Sequence, residues 1–258
     1  MVATPSWWRS WLALLGSVAV VFVAFSLLPY LSLDPARSRV PVPTDLRWYY
    51  PLLVVHVVCG AIAMLSGCVQ VWPWFRQSFP RVHRRLGRLY VFGGVLPAGV
   101  IGLLIGALSP FGPVIRVSNV LLALLWLIFT VAGYRSARQQ RMAEHHKWMV
   151  RSFALTMSVI TNRIWGVVAG IALMPQLHTT FTGNEELLRQ AIAGIAGWLG
   201  WTLPLLWIQW WLEREKWSRV VDHAPDQAGT FTARLLAPGP RARARRACAT
   251  SSRRRAAA

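Results

Sequence analysis

RVHRRLGRLYVFGGVLPAGVIGLLIGALS, residues 81–109, decides the fold of this chain, because it joins a strongly basic start to a continuous apolar run. Its first ten residues hold four arginines, one histidine and no acid, and residues 89–109 hold no charged side chain. A helix needs about 20 apolar residues to cross the roughly 30 Å hydrocarbon core of a bilayer. The stretch therefore predicts a transmembrane helix with one basic end.

The composition of the whole chain agrees with a membrane protein. Of its 258 residues 55% are hydrophobic, fifteen are tryptophan, and the formal net charge is +19. In a soluble protein that charge would suggest nucleic-acid binding. Here the basic residues flank apolar runs, so the charge indicates topology and contact with anionic lipid headgroups. We expect no specific nucleic-acid binding.

Apolar runs of similar length recur along the chain and predict an all-α bundle of six transmembrane helices. The predicted helices cover about residues 11–31, 51–75, 80–109, 117–134, 146–174 and 191–212. Residues 1–212 thus form the transmembrane domain. Residues 213–258 are basic and of low complexity, which predicts a disordered tail.

The distribution of Lys and Arg predicts the orientation. The N-terminus, residues 76–88, residues 135–151 and the tail together carry 22 of the 28 Lys and Arg residues, and the alternate loops carry 5. Cytoplasmic segments carry the excess of positive charge in membrane proteins. Both termini are therefore predicted to be cytoplasmic, and the expected location is the plasma (inner) membrane of a bacterium.

Stripes of small and polar residues mark the second and third predicted helices. The stripe on the second helix comprises His56, Gly60, Ala63, Gly67 and Gln70. The stripe on the third helix comprises His83, Gly87, Tyr90 and Gly94. Spacings of four and three place each set on one helix face. Such a face fits close packing against a neighbouring helix or against a flat cofactor, and packing is the preferred interpretation.

The fifth predicted helix carries Arg163 and the neighbouring Asn162 among its polar residues, and His145 directly precedes it. Arg163 is unusual, because no Asp or Glu lies within any of the six predicted spans. Its partner must be a loop acid such as Asp45, Glu185 or Glu186, a lipid phosphate, a carbonyl cluster or a bound anion such as a haem propionate; otherwise it extends to the outer surface.

Four motifs resemble a known family. They are HVVCG at 56–60, GCVQ at 67–70, HRRLGRLY at 83–90 and HHKWMVRS at 145–152. Over about residues 50–170 the chain resembles domain-of-unknown-function family 2306, a family of predicted bacterial membrane proteins. That resemblance implies a membrane fold and no established activity.

A weaker, fold-level similarity is to the cytochrome b561-like proteins, which hold two haems between histidines of a four-helix bundle. It implies one haem between the third and fifth helices, where His83 and His145 lie. The fourth predicted helix has no histidine, so His56 lacks the second ligand that those proteins supply.

Two functional hypotheses follow. The first is a b-type haem protein for electron transfer, with quinone or another redox partner. Its cofactor-binding residues would be His83, His145, His56 and Arg163, with Gln70, Tyr90 and Asn162 as polar interior.

The second hypothesis is a non-redox assembly factor, sensor or carrier that binds lipid phosphate or another anion through Arg84, Arg88 and Arg151. A metal site of His83, His145 and His146 is a third alternative. No catalytic motif is visible, so whether the protein is an enzyme stays open.

Overall fold

The structure, a computed structural model, describes the backbone of residues 6–43 and 45–236 and the side chains of residues 10–43 and 45–214. Every regular element in those ranges is helical. Six of the helical stretches are long and apolar enough to cross a membrane. The predicted all-α, six-span fold is therefore confirmed. The cytoplasmic location of the termini stays a prediction.

The helices are α1 Ser6–Leu27, α2 Tyr49–Val71, α3 Pro73–Ser78, α4 Pro80–Arg88, α5 Leu96–Ala107, α6 Pro113–Arg138, α7 Met142–Leu173 and α8 Glu185–Leu236. A π-helical segment, Leu89–Val95, joins α4 to α5, so the third span runs without a break from Pro80 to Ala107. Short 3-10 turns occupy Leu28–Tyr30, Pro35–Arg37 and Met174–Gln176.

Several predicted boundaries differ from the structure, and the largest differences are these. The second span ends at Val71 instead of 75, because Pro73 forces Trp72 into an extended conformation (ψ 111°) and starts the separate helix α3. Helix α6 continues through polar turns on both sides of its apolar centre. Helix α8 continues to Leu236, past the predicted end at 212. The disordered tail is predicted over residues 213–258. The structure has residues 213–236 in helix α8, and residues 237–258 lie outside the described residues.

The stripe on α2 packs against the stripe on the third span. A Cβ placed on Gly94 would lie 2.9 Å from the Cα of Ala63, so only glycine allows the two backbones to come this close. A Cβ on Gly67 would meet the rings of Phe153 and Tyr90. In a bilayer, close van der Waals packing and hydrogen bonds hold helices together. The packing interpretation of the two stripes is therefore confirmed at their centre.

Helices α6 and α7 form a tight antiparallel pair. Gln140 adopts a left-handed conformation (φ 62°), and the Arg141 N–H donates to Ser136 O at 2.9 Å. This is the helix-ending motif in which the residue after the helix is usually glycine. Because α6 ends so abruptly, α7 starts within three residues of it, and His145 lies in its first turn.

The chain divides into two compact units, Met1–Gln209 and Trp210–Ala258, and all site residues described below belong to the first. Within that unit α8 packs on α6 and α7. The Trp201 indole donates to Ser118 Oγ at 2.9 Å, and the Thr161 hydroxyl donates to Gly200 O. Helix α1 contacts α2 through Ala19 and Val23 and otherwise exposes most of its side chains.

Candidate functional site

The predicted cytoplasmic end of the bundle holds the histidine pair, defined as His83 and His145. Helix α4 starts at Pro80, so His83 lies in its first turn. The Gln70 side-chain amide donates to the His83 carbonyl at 2.8 Å. Gly87, one turn further on, faces the same amide, since a Cβ there would lie 3.6 Å from Gln70 Nε2. Gln70 thus fixes the first turn of α4 against α2.

His145 has one ring nitrogen committed. Its Nδ1 lies 2.9 Å from the Gly133 carbonyl oxygen of α6. Because a carbonyl only accepts, Nδ1 carries the proton, and the neutral ring offers a lone pair at Nε2. A backbone carbonyl on the second ring nitrogen is also how metal-ligating histidines are oriented.

At His83, in contrast, Nδ1 is buried and makes no hydrogen bond to any described residue. Its imidazole lies close enough to His145 and to Arg76 for their charges to interact. A buried ring nitrogen without a partner costs free energy, so this atom is suited to receive a ligand or a proton-sharing group.

His146, the third histidine of the predicted metal site, is exposed. Among the described residues, no three His, Cys, Asp or Glu side chains form a group that could hold a metal ion. The three-histidine site is therefore not assembled, because successive residues of α7 point in different directions around the helix.

The predicted anion-binding arginines fall into two groups. Arg84 and Arg88 are exposed on α4 and make no hydrogen bond or ion pair with the described residues. Arg151 is committed, since its Nε and Nη2 donate to Gln209 Oε1 at 3.0 and 2.7 Å and its guanidinium lies 5.0 Å from the Trp148 ring. Arg151 is therefore bound to Gln209 of α8, whereas Arg84 and Arg88 are exposed and make no such contact among the described residues.

A buried hydroxyl network lies further into the bundle. Tyr90 OH is 2.7 Å from Ser152 Oγ and 2.8 Å from Thr156 Oγ1. The Trp126 indole donates to Thr156 Oγ1 at 3.0 Å, and Thr130 Oγ1 is 2.6 Å from Ser152 Oγ. All five side chains are at most 9% exposed. The network joins the third span to α6 and α7.

Tyr90 belongs to the π-helical segment Leu89–Val95, where the wider turn changes the direction of successive side chains. Tyr90 was predicted as polar interior and is 1% exposed. Trp126 and Thr130 are not among the site residues predicted from the sequence. Their spacing of four residues on α6 places them on one face, but an apolar helix gives no sign of which hydroxyls it will meet.

The other half of the bundle contains a partly open cavity of about 740 Å³, in the size range of ligand pockets. Its walls are mostly apolar and include glycines of α2, α5 and α8. Its polar lining includes His56, Asn119, Trp126, Asn162 and Arg163. None of the described residues that line it is acidic, and neither His83 nor His145 reaches it.

His56 is oriented by the backbone. Its Nδ1 lies 2.8 Å from the Ala98 carbonyl oxygen, so Nδ1 is the protonated nitrogen and Nε2 the acceptor. A Cβ on Gly102 would lie 3.1 Å from His56 Cε1, so glycine there leaves room for the ring. The structure therefore separates His56 and Arg163, which share the cavity, from the histidine pair.

Arg163 lacks the acidic partner that the sequence suggested. It makes no hydrogen bond or ion pair with the described residues, and Glu186 instead pairs with Arg189 at 2.9 Å. Arg39, a third cation of the cavity, donates to Phe25 O at 3.2 Å and stacks 3.6 Å from the Phe25 ring. Only Arg163 among these three lining arginines keeps an uncommitted guanidinium.

Six spans, a glycine-mediated helix contact and polar groups buried between helices define a polytopic α-helical membrane protein. The family model described as Predicted membrane protein (DUF2306) matches residues 53–210. The chain belongs to that family. No curated protein and no solved structure matches the chain, so the similarity to cytochrome b561-like proteins gains no support from known structures.

Proposed function

We propose that the protein binds a single b-type haem at the histidine pair and transfers electrons within the membrane. The observation that carries this proposal is the difference in hydrogen bonding between the two imidazole rings. His145 is fixed through Nδ1 with Nε2 left as a lone pair, and His83, within electrostatic range of it, has a buried Nδ1 without a hydrogen bond. Both helices present these residues in their first turns.

The donor set fits haem iron, which accepts neutral imidazoles as axial ligands. The imidazole of His83 makes no hydrogen bond to a described residue, so its ring is free to turn one nitrogen to the iron. Arg76 interacts with His83, and Arg84 and Arg88 carry uncommitted guanidinium groups on the same short helical region. These cations suit the two propionates of a haem. When bound, the haem would supply one-electron chemistry.

The residues of the chain have separate roles in this proposal. Gln70 holds the first turn of α4, and the Gly133 carbonyl sets the tautomer of His145. The buried network around Tyr90 closes the bundle above the pair. Helix α6 carries no histidine, so it offers no second ligand to His56. A quinone or a protein of the bacterial plasma membrane would exchange electrons with the haem.

The test is an absorbance spectrum of the purified protein after expression with added haem precursor. Oxidised and dithionite-reduced samples should show a Soret band and a sharp α-band that are lost in His83→Ala and His145→Ala. His146→Ala, an adjacent exposed histidine, is the matched control and should keep them. Absence of both bands from the wild-type protein would overturn the proposal.

The exposed arginines of α4 favour a second candidate, the binding of lipid phosphate. Arg84 and Arg88 have no acidic partner among the described residues and lie at the predicted cytoplasmic surface, where anionic headgroups attract basic side chains. Arg84→Gln with Arg88→Gln should then weaken copurification of anionic phospholipid, measured by lipid mass spectrometry. Arg37→Gln, an exposed arginine paired with Asp34, is the control. Equal lipid content in all variants excludes this candidate.

A further inference from the structure

We propose that the cavity in the predicted outer half of the bundle binds an amphiphile with one apolar chain and an acidic head, and that Arg163 holds the head. The proposal does not depend on haem, because neither His83 nor His145 lines the cavity.

Arg163 places a positive charge deep within a predicted membrane span. About 15 Å of helix, at 1.5 Å per residue, separates it from the end of α7 at Leu173. A charged side chain at such a position in a membrane protein normally faces a partner or a functional cavity. Arg163 has no partner among the described residues; it is exposed, and it also lines the cavity.

The other two arginines that line the cavity, unlike Arg163, have partners. Arg189 is neutralised by Glu186, and Arg39 is engaged by the ring and the carbonyl of Phe25. The cavity therefore presents one free guanidinium and no carboxylate among its described lining residues. A negative head is the charge that complements it, because an Arg–carboxylate or Arg–phosphate contact is charge-assisted and geometrically defined.

Further polar groups can receive the head. The side chains of Asn119 and Asn162 are half-buried, line the cavity and make no hydrogen bond to described residues. His56 adds an acceptor at Nε2, because Nδ1 is held by Ala98. Each unpaired amide inside a membrane protein costs free energy that a ligand can recover.

The remaining walls fit a hydrocarbon chain. They include Phe22 and Val23 of α1, Met64 of α2 and Ile192 of α8. Gly60 also lines the cavity, and a Cβ there would meet no atom within 4 Å, so the space beside it is open. A volume of about 740 Å³ suits one chain with its head. A single-chain acid that partitions into the bilayer is therefore the occupant we assign.

The test uses a brominated fatty acid as the probe and tryptophan quenching in nanodiscs as the signal, since Trp126 and Trp201 line the cavity. The brominated alcohol of equal chain length is the uncharged comparison. We expect saturable quenching by the acid at about tenfold lower concentration than by the alcohol, the factor expected for one charge-assisted contact. Equal quenching by acid and alcohol in the wild-type protein overturns the proposal.

Variants make the assignment specific. Arg163→Gln should bring the acid to the affinity of the alcohol, whereas Arg37→Gln should leave the difference intact. If Arg163→Gln does not fold, Gly60→Leu decides: it fills open cavity space and should abolish saturable quenching, while Gly170→Leu, at an open position outside the cavity, should not. Unchanged binding in Gly60→Leu contradicts the assignment.

Competition identifies the head group. Displacement of the probe by dodecanoate more than by dodecyl phosphate assigns a carboxylate, and the reverse order assigns a phosphate. Displacement by neither overturns the proposal. Haem content should be unchanged in Arg163→Gln and Gly60→Leu, so failure here and failure of the haem proposal are distinguishable.

Discussion

Removing the Tyr90 hydroxyl tests the buried network that joins three helices. In Tyr90→Phe the ring remains, so its packing against the Gly67 face of α2 is kept. The contacts to Ser152 at 2.7 Å and Thr156 at 2.8 Å are lost. Each hydrogen bond contributes about 1 kcal/mol in soluble proteins and about 0.6 kcal/mol on average between transmembrane helices.

The structure limits the loss to the contribution of these two bonds. Ser152 keeps its contact with Thr130, and Thr156 keeps the Trp126 indole and the Ser152 carbonyl. No hydroxyl is left fully unpaired, so the full desolvation penalty does not apply. We expect a loss of about 1–2 kcal/mol in the free energy of unfolding, which lowers the Tm by about 2–8 °C for a domain of this size.

The assay is thermal unfolding in nanodiscs followed by intrinsic tryptophan fluorescence. Tyr134→Phe is the matched control, because Tyr134 is half-buried, its ring meets Phe92 edge-on with centroids 5.1 Å apart, and its hydroxyl makes no hydrogen bond to the described residues. The control should stay within about 0.5 kcal/mol of wild type. Equal Tm values for the two variants would refute the reasoning.

Three further predictions concern packing, helix ending and orientation. Gly94→Ala should lower the free energy of unfolding by about 1–3 kcal/mol in the same assay, because its Cβ would press on the Ala63 backbone. The control Gly170→Ala has open space around the new Cβ and should be neutral or slightly stabilising. A similar loss in both variants would contradict the packing argument. Gln140→Gly should raise the Tm, since it relieves a left-handed side-chain conformation worth about 1 kcal/mol, whereas Gln139→Gly should not. In a cysteine-free background, an impermeant maleimide should label Thr180→Cys in intact cells and Gln139→Cys only after lysis; the reverse pattern would contradict the predicted orientation.

Hydropathy sufficed for the six spans because burial in a bilayer acts on the average polarity of about 20 residues. Small-residue periodicity likewise indicated that Gly67 and Gly94 lie at a helix contact, since only the helical repeat is needed for that. Helix ends were less predictable where polar residues continue the helix, as in α6. The break at Trp72 follows from Pro73 and could have been predicted.

The sites were harder to predict because they depend on which faces meet. In the sequence, Trp126 and Thr130 do not differ from other residues of an apolar span. Only the packing of α6 on α7 brings them into contact with Thr156 and Ser152. The cavity is space between helices and has no sequence signature. Arg163 was noticeable as a charge without a nearby acid, but its place beside that cavity required the fold.

The most direct measurement of the central claim is the haem content of the purified wild-type protein beside its histidine variants, determined by pyridine haemochrome. We expect about one haem per chain in the wild type and in His146→Ala, and a content near zero in His83→Ala and His145→Ala. Wild-type protein without haem, or variants that keep the wild-type content, would contradict the account of the histidine pair.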